Sequence, residues 1–305
     1  MPPVTIISPV GVFAGCCCLG LVVLGISNGC QPSDGRKVLP TKVEVDRPRT
    51  PLEEEISVPA ATPPDVRSYL ERTIAAMTQE QPQRLLKARR SRATGKGFML
   101  LPDDNGQIAR RETRRELAAD WPDRIRLHYQ TLPPLNLQLT FLYIQGQLWL
   151  TRNQFPTQAT EPAMIDEAPT DTLAQHWLPL LFPLTEPGVV CFDLRTNQGQ
   201  PSRDLMRVKF PHRPLYQLAF DTQSRLLRHV EYRYLPLGTG RPLTREWTFD
   251  QYKPFDGLLL PTRLVYAEIL ESPRIRDVKM DWTIERWEFP DKWPEELFQP
   301  PKTTP

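Results

Sequence analysis

The chain has 305 residues with 38 Lys and Arg against 36 Asp and Glu, a net charge of +2 that gives no bulk attraction for nucleic acid. The first 33 residues contain no Lys, Arg, Asp or Glu, so every acidic and basic side chain lies from Asp34 onward. The start of the chain and the rest of it are therefore built for different solvents.

Val10 to Ile26 is apolar, small or Cys throughout, about 25 Å if helical, short for a spanning helix and ample for the core of a signal peptide. At Cys30 the chain turns abruptly polar. Ser27-Asn28-Gly29-Cys30 resembles the bacterial lipobox in the small residue before Cys, and departs from it at Ser27, where Leu is usual. The second small-residue-plus-Cys site, Ala14-Gly15-Cys16, would leave Cys17 to Ile26 hanging from the mature protein. Lipid attachment at Cys30, an uncleaved membrane anchor and simple secretion all follow from this segment. The absence of a basic residue before it, with Arg36 and Lys37 after it, opposes all three orientations by the positive-inside rule. Three of the five cysteines, Cys16 to Cys18, lie inside the apolar run and Cys30 ends it; Cys191, between Val190 and Phe192, reads as a small buried hydrophobe rather than a nucleophile.

Residues 31–64 are rich in Pro and charge, with Glu53, Glu54 and Glu55 in a row, and read as a disordered tether between the 1–30 signal or anchor and a domain over 65–300, with 301–305 as a tail. Asp65 can cap a helix whose apolar stripe is Val66, Tyr69, Leu70, Ile74 and Met77. A second helical stretch is expected from Pro82 to Arg92. From Gly97 the period becomes two: Ile125, Leu127 and Tyr129, then Leu137, Leu139, Phe141 and Tyr143, a turn at Gly146, and Leu148, Trp149 and Leu150. Arg152 to Thr170 reads as a long polar loop, followed by brief helical spacing at Leu173, Trp177 and Leu180. Seven further strand-like runs follow: 189–194, 205–210, 215–220, 226–235, 243–252, 262–270 and 275–289. Short turns such as Asp221-Thr222-Gln223-Ser224 and Gly238-Thr239-Gly240 make neighbours antiparallel. Helices gathered early and strands after them predict an α+β fold, a large curved antiparallel sheet with helices over one face.

The order of pieces in the second half carries a resemblance: Phe220-Asp221 before a turn, Leu226-Leu227 opening a long strand, Thr248-Phe249-Asp250-Gln251-Tyr252, then Phe255-Asp256-Gly257-Leu258-Leu259-Leu260-Pro261, and Leu297-Phe298 before Pro300. In the first half Trp121-Pro122-Asp123-Arg124-Ile125-Arg126 and Gly146-Gln147-Leu148-Trp149-Leu150 fit the same scheme. This order resembles the outer-membrane lipoprotein-sorting (LolA/LolB-like) family from Pro64 to Pro300. The resemblance implies a half-barrel enclosing an apolar cavity for acyl chains, a hairpin corner at Asp256-Gly257, Pro261 opening the next strand and Phe298 plugging the sheet's end. Characterised carriers are soluble, whereas a tethered chain matches the anchored-acceptor arrangement better; the exposed apolar insertion loop of such an acceptor has no counterpart in Gln154 to Thr170.

Phe141, Tyr143, Trp149, Tyr232, Trp247, Phe249, Tyr266, Met280 and Trp282 sit at strand spacing and form the candidate apolar site. They line either a cavity for a lipid or a filled core, and both need the same alternation. The basic run Arg84, Lys87, Arg89, Arg90, Arg92, Lys96, Arg110, Arg111, Arg114 and Arg115 suits anionic headgroups or a solvated helix face balanced by Glu112 and Glu116. His128, His176, His212 and His229 are isolated in sequence, and no G-x-S-x-G, H-E-x-x-H, C-x-x-C or P-loop pattern occurs. The expectation is a non-enzymatic, cofactor-free protein of the bacterial envelope that binds a lipid or lipoprotein acyl chain, faces the periplasm or exterior, and does not bind nucleic acid. The alternative is a structural or protein-interaction module on the same scaffold with a filled core.

Overall fold

The computed structural model describes residues 56–102, 108–133, 136–153, 155–159, 162–196, 202–235, 242–271 and 274–301. The signal or anchor segment, Cys30, most of the tether and the Gly238-Thr239-Gly240 turn lie outside these residues. The described part of the tether already touches the domain, since the Thr62 hydroxyl accepts the Cys191 amide at 3.1 Å.

Helix α1 spans Pro64–Thr78. It starts one residue before the predicted cap, with Pro64 at its first turn, where a missing N–H costs nothing, and Asp65 beside the positive end of the helix dipole. Its predicted stripe of Val66, Tyr69, Leu70, Ile74 and Met77 is buried. The second helix is a tight 3₁₀ segment, Pro82–Arg89. It gives way to β1 (Arg90–Pro102) seven residues before the predicted change of period, so Arg90 and Arg92 belong to a strand.

The first meander is β1, β2 (Ile108–Asp120), β3 (Arg124–Thr131), β4 (Gln138–Ile144), β5 (Gln147–Arg152) and β6 (Phe155–Gln158). The predicted loop after Arg152 is in fact β6 followed by helix α2 (Pro162–Thr172). A wider π turn (Leu173–Trp177) and two 3₁₀ turns (Leu178–Leu180, Phe182–Thr185) continue α2. The return meander is β7 (Val190–Arg195), β8 (Arg203–Lys209), β9 (Leu215–Asp221), β10 (Leu227–Tyr234), β11 (Leu243–Asp250), the small hairpin β12 (Lys253–Phe255) and β13 (Leu258–Leu260), then β14 (Arg263–Glu271) and β15 (Arg274–Glu288). Asp256 and Gly257 turn that hairpin with φ of 47° and 79°. A side chain at Gly257 would also collide with the Arg84 guanidinium, which donates to the Gly257 carbonyl at 2.9 Å.

Thirteen strands form one antiparallel sheet in the order β6-β5-β4-β3-β2-β1-β15-β14-β11-β10-β9-β8-β7. The first and last strands of the chain pair in its middle, from Arg92 opposite Glu288 to Met99 opposite Met280, and each meander runs outward to one edge. The α2 segment carries the chain from one edge to the other. In a flat sheet β5 and β9 would lie about 43 Å apart at the usual strand spacing. Yet α2 packs against β4 and β5, while its Thr170 carbonyl accepts the Tyr216 hydroxyl of β9 at 3.1 Å. The sheet must therefore curl around a helix only about 10 Å thick. This is the expected curved antiparallel sheet of an α+β half-barrel, with helices on its inner side.

One apolar cluster fills the concave side, drawing residues from α1, the α2 segment and nearly every strand. A second, smaller one on the convex side joins Ala118, Leu142, Trp149, Trp293 and Phe298. Phe298 thus packs on the outer face with Trp293, 5.6 Å between ring centroids, and does not plug the end of the sheet.

Candidate functional site

Strand parity decides what reaches the concave face. On β11 the inward positions are Arg245, Trp247 and Phe249; on β14, Leu264 and Tyr266; on β15, Met280 and Trp282; on β4, Phe141 and Tyr143. Trp247 stacks on its cross-strand partner Tyr266 with centroids 4.4 Å apart, and both are 0% exposed. Eight of the nine predicted apolar residues, Phe141, Tyr143, Tyr232, Trp247, Phe249, Tyr266, Met280 and Trp282, share this inner core. Trp149 does not. It pairs with Leu142, whose side chain points away from Phe141 and Tyr143, so it belongs to the convex cluster.

The α2 segment lies over the inner face, and every residue from Asp171 to Leu184 is buried. Trp121, from the turn between β2 and β3, meets Trp177 and Phe182 edge-on at 4.8 and 5.4 Å. Two buried arginines also rise from the sheet to hold the segment. Arg245 is 3% exposed; it pairs with Glu167, one helical turn before Asp171, and donates to both Asp171 carboxylate oxygens at 3.0 and 2.9 Å. Tyr232 donates to Asp171, Tyr234 donates to Glu167 at 2.8 Å, and the Arg245 guanidinium lies 3.8 Å from the Tyr234 ring. Burial pushes the Asp171 carboxyl above the usual carboxylate range; Arg245 opposes this and Glu167 adds to it.

Arg115, on β2 and also 3% exposed, is held differently. It donates to the Gln175 side-chain oxygen and reaches the Met280 sulfur at 3.5 Å. Its guanidinium lies 4.3 Å from the Trp282 ring and 5.3 Å from that of Tyr129. Next to Gln175, His176 bonds to Ser91 of β1 at 2.9 Å and stacks on Trp287. Burial, helped by the Arg115 charge, lowers the His176 pKa to about 3, so its ring is neutral.

Sequence reasoning gives none of these polar residues its role: it places Arg115 in a basic run, Glu167 in a loop and His176 among isolated histidines, and does not single out Arg245, Asp171 or Gln175. Parity held the signal. Thr113, Arg115, Leu117 and Ala119 alternate inward on β2, whereas Arg110, Glu112 and Arg114 face solvent. Of the other basic residues of that run, Arg92 lies near Glu116 and Glu288 and Lys96 meets Glu285 at 2.9 Å; Arg126, outside the run, also meets Glu116, at 3.1 Å. Cys191 is fully buried and burial pushes its thiol up to about 12. Among the described residues no group of three or more His, Cys, Asp or Glu could hold a metal ion, and no helix is long and apolar enough to cross a membrane.

No family model matches the chain, and no curated protein matches it. Solved LolA-superfamily structures resemble it. A LolA superfamily protein from Nitrosomonas europaea is 13% identical with a TM-score of 0.46, covering 77% of this chain and 97% of its own. A putative outer membrane lipoprotein-sorting protein domain from Vibrio parahaemolyticus is 13% identical with a TM-score of 0.42, covering 75% and 97%.

Proposed function

We propose that this protein binds the acyl chain of a lipid or lipoprotein on the concave face of its sheet, held at a bacterial envelope membrane by its N-terminal segment and lipidated Cys30. Phe141, Tyr143, Tyr232, Trp247, Phe249, Tyr266, Met280 and Trp282 supply the apolar surface, and the α2 segment stands in for the ligand in the closed state. One observation carries the reading. The inner face is covered by a chain segment that crosses from edge to edge, adds no strand to the sheet, and is fixed to it through two buried arginines.

Polar attachments inside an apolar core make such a cover separable. Burying ions costs several kcal/mol each before their attraction repays it, so a lid clamped this way is held less tightly than a purely apolar one. When it lifts, Arg245, Glu167 and Asp171 regain water, which offsets part of the cost of exposing the aromatic face. An acyl chain covers the rest, gaining roughly 0.8 kcal/mol per buried methylene. The closed core is tightly filled around Trp247 and Tyr266, so lid movement must precede binding.

The test is a titration of the purified full-length chain with a fluorescent acyl probe, together with mass spectrometry of lipids that co-purify with it. Saturable binding of about one probe per chain is expected. A folded chain that takes up no probe and carries no lipid overturns the proposal and leaves the filled-core module in its place. A diacylglyceryl group on Cys30 of the mature N-terminus is the expected sign of the tether; an unmodified N-terminus at Met1 would contradict it.

A further inference from the structure

The two arginines under the lid differ in one respect that bears on the ligand. Arg245 meets two carboxylates, whereas no ion pair among the described residues reaches Arg115. Its contacts are an amide oxygen, a thioether and two aromatic faces. A buried guanidinium is ordinarily matched by an anion, because the protein interior screens its charge poorly. The groups around Arg115 deepen the imbalance. Its own Nε, the Gln175 Nε2 and the Trp282 Nε1 are all buried without a hydrogen-bond partner among the described residues, and all three are N–H donors. Gln175 bonds to the guanidinium and the Trp282 ring lies against it, so all three donors belong to side chains in contact at Arg115. Nearby, His176 is neutral and already engaged by Ser91.

An excess of donors around a fixed cation complements an anion with several acceptor oxygens. We infer that Arg115, with Gln175 and the Trp282 indole N–H, forms the seat for the anionic head of an amphiphile, a carboxylate or a phosphate. The inference rests on the acyl-binding reading above and narrows it from any lipid to one with a charged head. In the closed state the Gln175 side-chain oxygen occupies one arm of the guanidinium fork. When the lid moves, that arm passes to the head oxygens, while the tail runs along the aromatic face from Trp282 toward Trp247. Arg115 is then a binding residue, and Gln175 is its internal competitor.

Brominated lipids quench tryptophan by contact, so their uptake reads on the tryptophans of the inner core, Trp282 and Trp247 among them. The experiment compares dibromostearate, its methyl ester and a lysophosphatidate with the same brominated tail, each titrated into the full-length chain. Wild-type protein is expected to bind one or both anions at least about tenfold tighter than the ester, since a charge-assisted pair contributes a decade or more. Whichever anion is preferred identifies the head. Arg115→Gln is expected to bring all three within about twofold of one another while ester binding persists. Gln175→Glu places a carboxylate on the guanidinium; it is expected to raise the melting temperature of the empty chain and to abolish the preference, which keeps the test decisive if Arg115→Gln fails to fold. Ester binding without any anion preference in wild type, or a preference that survives both substitutions, overturns the head seat and leaves acyl binding standing. Absence of quenching by all three lipids overturns both.

Discussion

The two meanders of the sheet each send one buried arginine up to the same crossing segment, yet the two attachments obey different physics. In the return meander Arg245 is enclosed by Glu167, Asp171, Tyr232 and Tyr234, an ionic cluster whose members satisfy one another. In the first meander Arg115 rests on Gln175, Met280 and two rings. One end of the lid is thus fastened by matched charge, and the other by neutral contacts, the Gln175 amide on a cation with no ion pair among the described residues and the His176–Ser91 bond beside it. The first resists being broken from one side; the second is built to exchange partners.

The largest expected effect comes from breaking the matched side. Arg245→Met leaves Glu167 and Asp171 buried without their cation and is expected to cost about 3–5 kcal/mol, measured as the shift in urea unfolding free energy. Adding Asp171→Asn to it should recover part of the loss, because the stranded charge is then removed. Additive losses in that double-mutant cycle would mean the cluster is not coupled.

How much of this was legible beforehand follows the same division. The antiparallel sheet and eight of the nine apolar residues could be read from alternation, because a half-buried strand shows its inner face as every second side chain. Trp149 could not be placed, because β5 is apolar on both faces: Leu148 turns inward while Trp149 meets Trp293 and Phe298 outside. Helical spacing at Leu173, Trp177 and Leu180 marks the later part of the lid, and α2 before it is hidden for a different reason. The predicted loop runs through Thr170 and takes in most of α2, which looks polar because Glu167, Thr170 and the adjoining Asp171 are polar; only tertiary contact with Arg245 and Tyr216 makes their burial possible. Arg115 is hidden inside a run of basic residues several of which, such as Arg110 and Arg114, do face water, and Arg245 carries no local mark that separates it from any other strand arginine.

Acid sharpens the comparison at intermediate magnitude, because the two sides titrate in opposite directions. His176 has a folded pKa of about 3 against an ordinary value of 6.5, so the unfolded chain takes up its proton first. The stability it contributes is complete above pH 6.5 and falls as the pH drops toward 3, by roughly 2 kcal/mol between pH 7 and pH 5. Asp171 is raised instead, so the folded state holds its proton more firmly and its contribution declines as the pH rises above the ordinary carboxylate value. Comparing urea midpoints of wild type and His176→Gln at pH 7 and pH 5 isolates the first effect. The variant should lose most of that acid sensitivity, and an unchanged slope would show that the ring is not buried neutral.

The smallest effect belongs to the side that looks most alarming, a buried charge with no counter-ion among the described residues. Arg115→Met removes the cost of keeping that charge from water, and Met fills a similar volume beside Met280 and the Trp282 ring. Against this stands the loss of one bond to Gln175 and of the aromatic contacts, together on the order of 1–3 kcal/mol. The two contributions nearly cancel, so unfolding free energy should change by less than about 1.5 kcal/mol, in contrast to the several expected at Arg245. A loss as large as that of Arg245→Met would mean that Arg115 has structural partners beyond an amide, a thioether and two rings. A near-neutral result says that the fold does not require this cation, and a buried cation that the fold does not require is most simply explained by what it binds.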